Sequence, residues 1–210
     1  MVIAGVTIEK NREKKLKSIG VKDSKELSPE RREELAQLIE KLAKNILVLR
    51  VQACKIDSYR AKGINLDKIE AMKMAQIIDM SGADLVYVDS LEQNVKKFEE
   101  LIRSFLKNKN VELVVENYLD ERIPVVGAAS IIAKTERDAA IEEIKRKVNY
   151  DFGVGYTHDP RTIEFLKKLM KETKGNLPPY VRKSWVTVEL LRKEVQQKKI
   201  RDFIFRKKSK

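Results

Sequence analysis

The chain has 210 residues, 42% hydrophobic and 36% charged, with one cysteine, one histidine and a formal net charge of +12. That length and apolar share are enough for one self-sufficient core, and the single cysteine excludes a disulfide framework and, with the lone histidine, disfavours a zinc site. No apolar run is long enough to span a membrane and no signal-peptide pattern opens the chain, so a cytoplasmic protein is expected; the positive excess points to a polyanion, nucleic acid first, or in part to a surface rich in ion pairs.

Met1 to Ile8 is apolar at almost every position and reads as a buried strand. Glu9 to Lys17 is a charged turn or short helix, and after Gly20 comes Val21-Lys22-Asp23-Ser24-Lys25. Ser28-Pro29 signals a helix start, with Leu35, Leu38, Ile39 and Leu42 on one face. Ile46 to Val51 is a second strand. Asn65 opens a helix in which Ala71, Met74, Ala75 and Ile78 keep a helical period, and Gly82 ends it. Leu85 to Asp89 is a strand ending in an acid, followed by a helix with Val95, Phe98, Ile102 and Phe105 inward.

Val111 to Val115 is a short β-branched run, then Asp120 sits in a loop. Pro124 suits a helix first turn, and Gly127, Ala128, Ala129, Ser130 and Ala133 leave room for close approach of a neighbouring element; this helix runs to about Val148. Asp151 to Tyr156 is a glycine-rich loop, Asp159-Pro160 caps a helix with Ile163, Leu166, Leu169 and Met170 apolar, and Leu177-Pro178-Pro179 breaks the chain before a last helix around Trp185, Val188, Leu191 and Val195. The order predicts an α/β fold, a mixed sheet that is antiparallel at the start and parallel afterwards, with helices on both faces. Residues 1–195 form its domain, and 196–210 a basic tail.

Asp89, at the end of an apolar strand, must be solvated, paired or metal-bound; taken alone it is more often a helix cap or turn residue. Ligands bind at such strand ends in α/β sheets. With Asp120 on the neighbouring strand end, a shared Mg²⁺ or Mn²⁺ is a coherent reading, because hard cations take carboxylate oxygens. Gly153 to Pro160 combines backbone freedom, the Tyr156 ring and a helix start, which suits phosphate or sugar contact, but taken alone it reads first as a plain loop with Tyr156 half-buried. Ser24 and Lys25 fit a phosphate or a solvated turn. His158 reads as a surface residue, and Arg182 with Trp185 as a packing pair.

These pieces together resemble the archaeal ribonuclease HII family over nearly the whole chain. Val21 to Leu27 resembles its KDSK-type segment, Asn65-Leu66 its NL segment, and Val86-Tyr87-Val88-Asp89 its metal-binding strand. Pro124 to Lys134, PVVGAASIIAK, is nearly PVVSAASIIAK; Gly155-Tyr156 with Asp159-Pro160-Arg161-Thr162 matches GYPSDPRT; and Arg182 with Trp185 matches RxxW. The resemblance implies a ribonuclease H-like sheet flanked by helices, with a helical C-terminal extension. It also implies cleavage of RNA paired to DNA, including single ribonucleotides embedded in duplex DNA. Two divalent ions, Mg²⁺ or Mn²⁺, would act there, one orienting and deprotonating the water and the other stabilising the leaving 3′ oxygen. By the same resemblance Asp89 is a metal ligand, Asp120 supports the second metal, and Tyr156 stacks at the ribose of the RNA–DNA junction. Ser24, Lys25 and Arg182 are further substrate contacts, in a monomer.

The chain departs from the family pattern in several places. The family opens with a central strand ending in DEAGRG, which holds an Asp and a Glu ligand, and Met1-Val2-Ile3-Ala4 aligns just after it. Met1 is therefore expected to be an internal methionine of a longer reading frame, or the chain a truncated relative; the intact later motifs favour the first. As it stands, the sheet should carry an unpaired row of backbone groups, and Asp89 and Asp120 alone should hold Mg²⁺ poorly and give little or no cleavage. Asn117-Tyr118-Leu119-Asp120 replaces HKAD, Gly127 replaces a serine, and Thr157-His158 replaces Pro-Ser. In the tail, Gln197, Ile200 and Phe203 fit the peptide that docks on replication sliding clamps, or else pack back on the body. The alternative function is a non-catalytic hybrid or duplex binder tethered to such a clamp.

Overall fold

The first strand, β1 (Val2–Thr7), runs antiparallel to β2 (Asn45–Arg50), with Ala4 opposite Val48. Between them lie α1 (Glu13–Ser18) and α2 (Pro29–Leu42). This is a computed structural model, and it describes residues 1–21, 27–90 and 92–194. The Ser28 hydroxyl accepts the Arg31 N–H at 3.2 Å, which satisfies one of the donors a helix start leaves open, and Pro29 loses nothing there. Leu35 and Ile39 are fully buried, but Leu38 faces outward and Ala36 is buried in its place. The buried arc of α2 lies on the Ala36 side of Leu35, so Leu38, on the other side, falls at the rim.

Next come α3 (Ala53–Ala61), a helix the sequence reading left unassigned, and α4 (Leu66–Ser81). The Asn65 side chain accepts the Lys68 N–H at 3.0 Å to start α4, and Gly82 stops it in the left-handed conformation. Then follow β3 (Leu85–Asp89), α5 (Val95–Phe105) and β4 (Glu112–Glu116), which is parallel to β3 with Val86 opposite Leu113. After these come α6 (Leu119–Arg122), α7 (Pro124–Val148) and α8 (Pro160–Glu172), and residues 186–194 are helical. Among the described residues, no helix is long and apolar enough to cross a membrane.

The chain divides into two units: Met1–Val51 with Ile64–Ala139, and Gln52–Gly63 with 140 onwards. Among the described residues, the four strands belong to the first unit. There the antiparallel and parallel pairings follow the sequence expectation, but the strands form two separate two-stranded sheets. One helix serves both. A Cβ on Gly5 of β1 would lie 2.5 Å from Ile77 of α4, while Ala71, Ala75 and Ile78 of the same helix join Val88, Leu113 and Val115 in one cluster with Phe98 and Ile102.

The opposite face is closed by α2 and α7, whose Leu35, Ile39, Ala128 and Ile131 meet Ala4, Val6, Ile46 and Val48. Because the sheet is interrupted, every residue of β1 is half-buried, where the sequence predicted a buried strand. Among the described residues no further strand pairs with β1 or β3, which is the row of unpaired backbone expected without a central strand.

In the second unit, Phe152, Phe165, Leu166, Leu169, Met170, Leu177, Val181, Val188 and Leu191 form a separate core. Phe165 stacks between Tyr150 and Phe152, at 5.2 and 5.0 Å.

Candidate functional site

β3 and β4 end side by side, and polar side chains hold their ends in place. The Ser90 N–H donates to the Glu116 carbonyl at 2.9 Å, extending the parallel ladder by one step past Asp89. The Asn117 side-chain amide donates to the carbonyls of Ser90 and Glu92, the latter at 3.1 Å, so it ties the two exits together. Tyr118 then takes the left-handed conformation, with φ of 60°, and turns the chain sharply into α6. Asp89 Oδ1 accepts the Leu119 N–H at 2.9 Å, and Asp120 is the next residue. Thus Asp89 takes up the first N–H of α6, in the capping role that its position at a strand end allowed, and ties that turn to the end of β3.

Asp120 does not lie in an exposed loop, as the sequence suggested. It is in the single turn of α6, 5% exposed, and its Oδ1 is buried without a hydrogen-bond partner. A buried carboxyl oxygen with no donor costs about 1–3 kcal/mol or more, so its natural complement is a cation. A strand-end carboxylate, Asp89, and a buried, oxygen-orphaned one, Asp120 in α6, are the residue types that a hard divalent ion takes. They are a partial set: among the described residues no group of three or more His, Cys, Asp or Glu is placed to hold a metal.

Gly127 sets the height of this turn. A Cβ there would lie 2.9 Å from the Asp120 carbonyl oxygen and 3.1 Å from Val21 Cγ1, so the glycine lets α7 come against the backbone of α6. The close approach read from the small residues of this helix is therefore made at the acid itself. Gly127→Ser is expected to destabilise the protein by about 1–3 kcal/mol, because the overlap is with backbone and outweighs a helix-propensity gain of about 0.5 kcal/mol. Denaturant melts of the two proteins check it.

In the second unit Asp159 organises the glycine-rich loop. Its Oδ2 accepts the Val154 N–H at 2.8 Å, and its Oδ1 accepts the Arg161 N–H at 2.9 Å to cap α8. The Thr162 hydroxyl donates to the Phe152 carbonyl and accepts the Gly155 N–H. Gly153 has φ of +76°, and a Cβ on it would overlap Asp159 Oδ2 at 2.0 Å, so no side chain fits there. On this frame Tyr156 stands 48% exposed.

The Val154 N–H holds the Asp159 carboxyl below the usual carboxylate range, against the opposing effect of burial, and Arg161 adds to the lowering. A lowered folded-state pKa means stability that is present above the unfolded value and lost as pH falls through the folded one. The melting-temperature difference between wild type and Asp159→Asn should therefore be largest near neutrality and shrink below about pH 4. A difference that stays constant from pH 7 to pH 3 would contradict this.

Arg182 Nε donates to the Ser184 hydroxyl at 3.2 Å, while the N–H groups of Lys183 and Ser184 donate to Asp57 of α3 at 2.8 and 2.9 Å. Trp185 is half-buried against the core of this unit.

The family model for ribonuclease HII matches residues 1–188. The chain belongs to the ribonuclease HII family. It is 41% identical to the ribonuclease HII of Methanosarcina acetivorans over 203 residues, covering 94% of this chain and 91% of that protein. Among solved structures, it resembles the Archaeoglobus fulgidus ribonuclease HII from its complex with PCNA (TM-score 0.80, 39% identity, 91% of this chain and 88% of that one). It also resembles the ribonuclease H2 of Pyrococcus horikoshii (TM-score 0.81, 32% identity, 93% and 99%). The ribonuclease H-like α/β fold and the membership of a ribonuclease H hydrolase family stand on these likenesses.

Of the residues singled out in the sequence, Asp89 and Asp120 both belong to the first unit, where Asp89 bonds to the residue before Asp120. Tyr156 and Arg182 belong to the second unit, the one exposed on its loop and the other half-buried. Ser24, Lys25, Gln197, Ile200 and Phe203 lie outside the described residues. Sequence reasoning missed Asn117, where only a departure from the family pattern was visible and no spacing pointed to its partners. It also missed the contact between Asp67 and Glu92, in which the Asp67 charge pushes the Glu92 carboxyl upward. Those two acids are far apart in the chain and only the fold makes them neighbours.

Proposed function

We propose that this chain carries the substrate-facing and part of the metal-binding machinery of an endonuclease that cuts RNA paired to DNA. Its substrates include duplex DNA with single embedded ribonucleotides. One observation supports this reading above the rest: Asp120, whose Oδ1 is buried without a partner, follows in the chain the residue whose N–H Asp89 accepts at the end of β3. Asp89 and Asp120 hold a divalent cation there, Mg²⁺ or Mn²⁺, which supplies Lewis acidity to a phosphate oxygen when bound. Tyr156 contacts the ribose beside the deoxynucleotide, where the 2′-hydroxyl tells RNA from DNA. Ser24, Lys25 and Arg182 meet the phosphate backbone, and the net charge of +12 draws the duplex in. The protein works as a cytoplasmic monomer.

A second reading is favoured by the carboxylate count: with two acids and no third ligand among the described residues, the chain binds hybrid without cutting it. The experiment uses a labelled duplex with one ribonucleotide, with Mg²⁺ or Mn²⁺. Metal-dependent nicking at the ribonucleotide, by this chain or by a version extended at its N-terminus by a strand bearing two acids, supports the nuclease; binding with a steep salt dependence and no product from either supports the binder; no binding at all defeats both.

The tail from Gln197 through Ile200 to Phe203 is a docking peptide for a sliding clamp, a partner class with which the Archaeoglobus relative was solved. A synthetic peptide of residues 193–210 that fails to bind the clamp would remove that assignment.

A further inference from the structure

The turn before the last helix is gripped by a carboxylate from a distant segment of the chain, both lying in the second unit. The Trp185 N–H donates to the Arg182 carbonyl at 3.3 Å and closes the turn. The N–H groups of Lys183 and Ser184, at its centre, donate one to each oxygen of Asp57 in α3, at 2.8 and 2.9 Å. The Cys54 N–H of the same helix donates to the Pro179 carbonyl at 3.2 Å, so α3 also holds the chain just before the turn. A hydrogen bond to a charged acceptor is about twice as strong as one between neutral groups. A pair of them on successive amides fixes the backbone of the turn.

That grip has an electrostatic consequence. Both Asp57 oxygens accept backbone amides, so the acid holds the turn without forming an ion pair with the lysine it carries. Lys183, whose Cα lies between the two gripped amides, is exposed and makes no ion pair among the described residues. Arg60, one helical turn beyond Asp57 on the same side of α3, is also exposed and makes no ion pair among them. A cation carried on a fixed backbone has less freedom to lose when it meets a phosphate.

We propose that Lys183 and Arg60 contact the phosphate backbone of the bound nucleic acid, and that Asp57 is the positioning residue that sets the Lys183 turn. The inference rests on the reading of the chain as a nucleic-acid binder and uses neither the metal site nor the Tyr156 loop.

The test is fluorescence anisotropy of a labelled RNA–DNA hybrid against the full 210-residue protein in metal-free buffer over a range of salt. Lys183→Ala and Arg60→Ala should each weaken binding about fivefold near 0.1 M salt and lower the slope of log affinity against log salt by about one. Both side chains are exposed, so these variants should melt as wild type does. Asp57→Asn separates positioning from charge. It removes a negative charge, which by itself would tighten binding to a polyanion, but it also leaves one gripped amide without its acceptor. It should therefore weaken binding about threefold, and should no longer do so when Lys183 is already alanine. Wild-type affinity and slope in either alanine variant would overturn the proposal, and so would tighter binding by a normally melting Asp57→Asn; the nucleic-acid reading would stand in both cases. A wild-type protein that does not bind hybrid would overturn both.

Discussion

In Mg²⁺, this 210-residue chain is expected to bind an RNA–DNA hybrid and leave it essentially intact. A version extended at its N-terminus by one apolar strand ending in two acids is expected to cut it at least about a thousandfold faster. The physical ground is the break between the two sheets. Both β1 and β3 lack a further strand partner among the described residues, α4 closes one face over both, and α2 and α7 cover β1 and β2 on the other. A strand entering that break is expected to pair with both edges and to bring its acids towards Asp89 and Asp120, the proposed ligands.

A thousandfold corresponds to about 4 kcal/mol of transition-state stabilisation, within what a correctly held divalent ion supplies. Stability should rise in parallel, because each backbone hydrogen bond gained contributes about 0.5–1.5 kcal/mol net. A gel assay of hybrid cleavage and a thermal melt of the two proteins decide it. Comparable cleavage by both would show that Asp89 and Asp120 suffice, and an extension that changes neither rate nor melting would show that the break is not a strand site.

Asp120→Asn is expected to separate stability from metal binding. In metal-free protein the buried Oδ1 has no donor, and a neutral amide costs less to bury than a carboxylate. The variant should therefore be more stable by about 1–3 kcal/mol. Mn²⁺ affinity should fall at least about tenfold, since a carboxylate ligand is lost from a site that has few. The combination of a higher melting temperature and weaker Mn²⁺ binding by calorimetry is the signature of a group kept for function at the expense of stability. Unchanged Mn²⁺ affinity would mean that Asp120 is not a ligand, and lower stability would mean that its buried oxygen has a structural role.

Much of the fold was legible because it is written in local rules. Helix starts at Ser28, Asn65 and Asp159 are capped by the side chains the sequence offered, Gly82 ends α4 in the left-handed conformation, and apolar periods of two and 3.6 residues placed the strands and most helix faces. Leu38 shows the limit of such periods: a residue at the rim of an arc turns outward when the neighbouring element sits toward the other rim. Likewise β1, apolar at nearly every position, is only half-buried because burial depends on a neighbour and not on the strand itself.

The candidate site divides in the same way. The sequence by itself determined the family, through long motifs in order, and with it the residue types at the strand ends: Asp89, Asp120, and the loop of Tyr156. Only the tertiary structure decided what those residues meet. That Asp89 caps α6, that Asp120 Oδ1 is buried without a donor, that Gly127 lies against the Asp120 backbone, and that His158 stacks on Tyr156 are all facts of packing. The first joins residues 30 apart in the chain across the parallel ladder, and the third joins residues seven apart through a helix contact. A sequence period reports which face of its own element a residue takes, and it carries no information on the atom that will stand opposite.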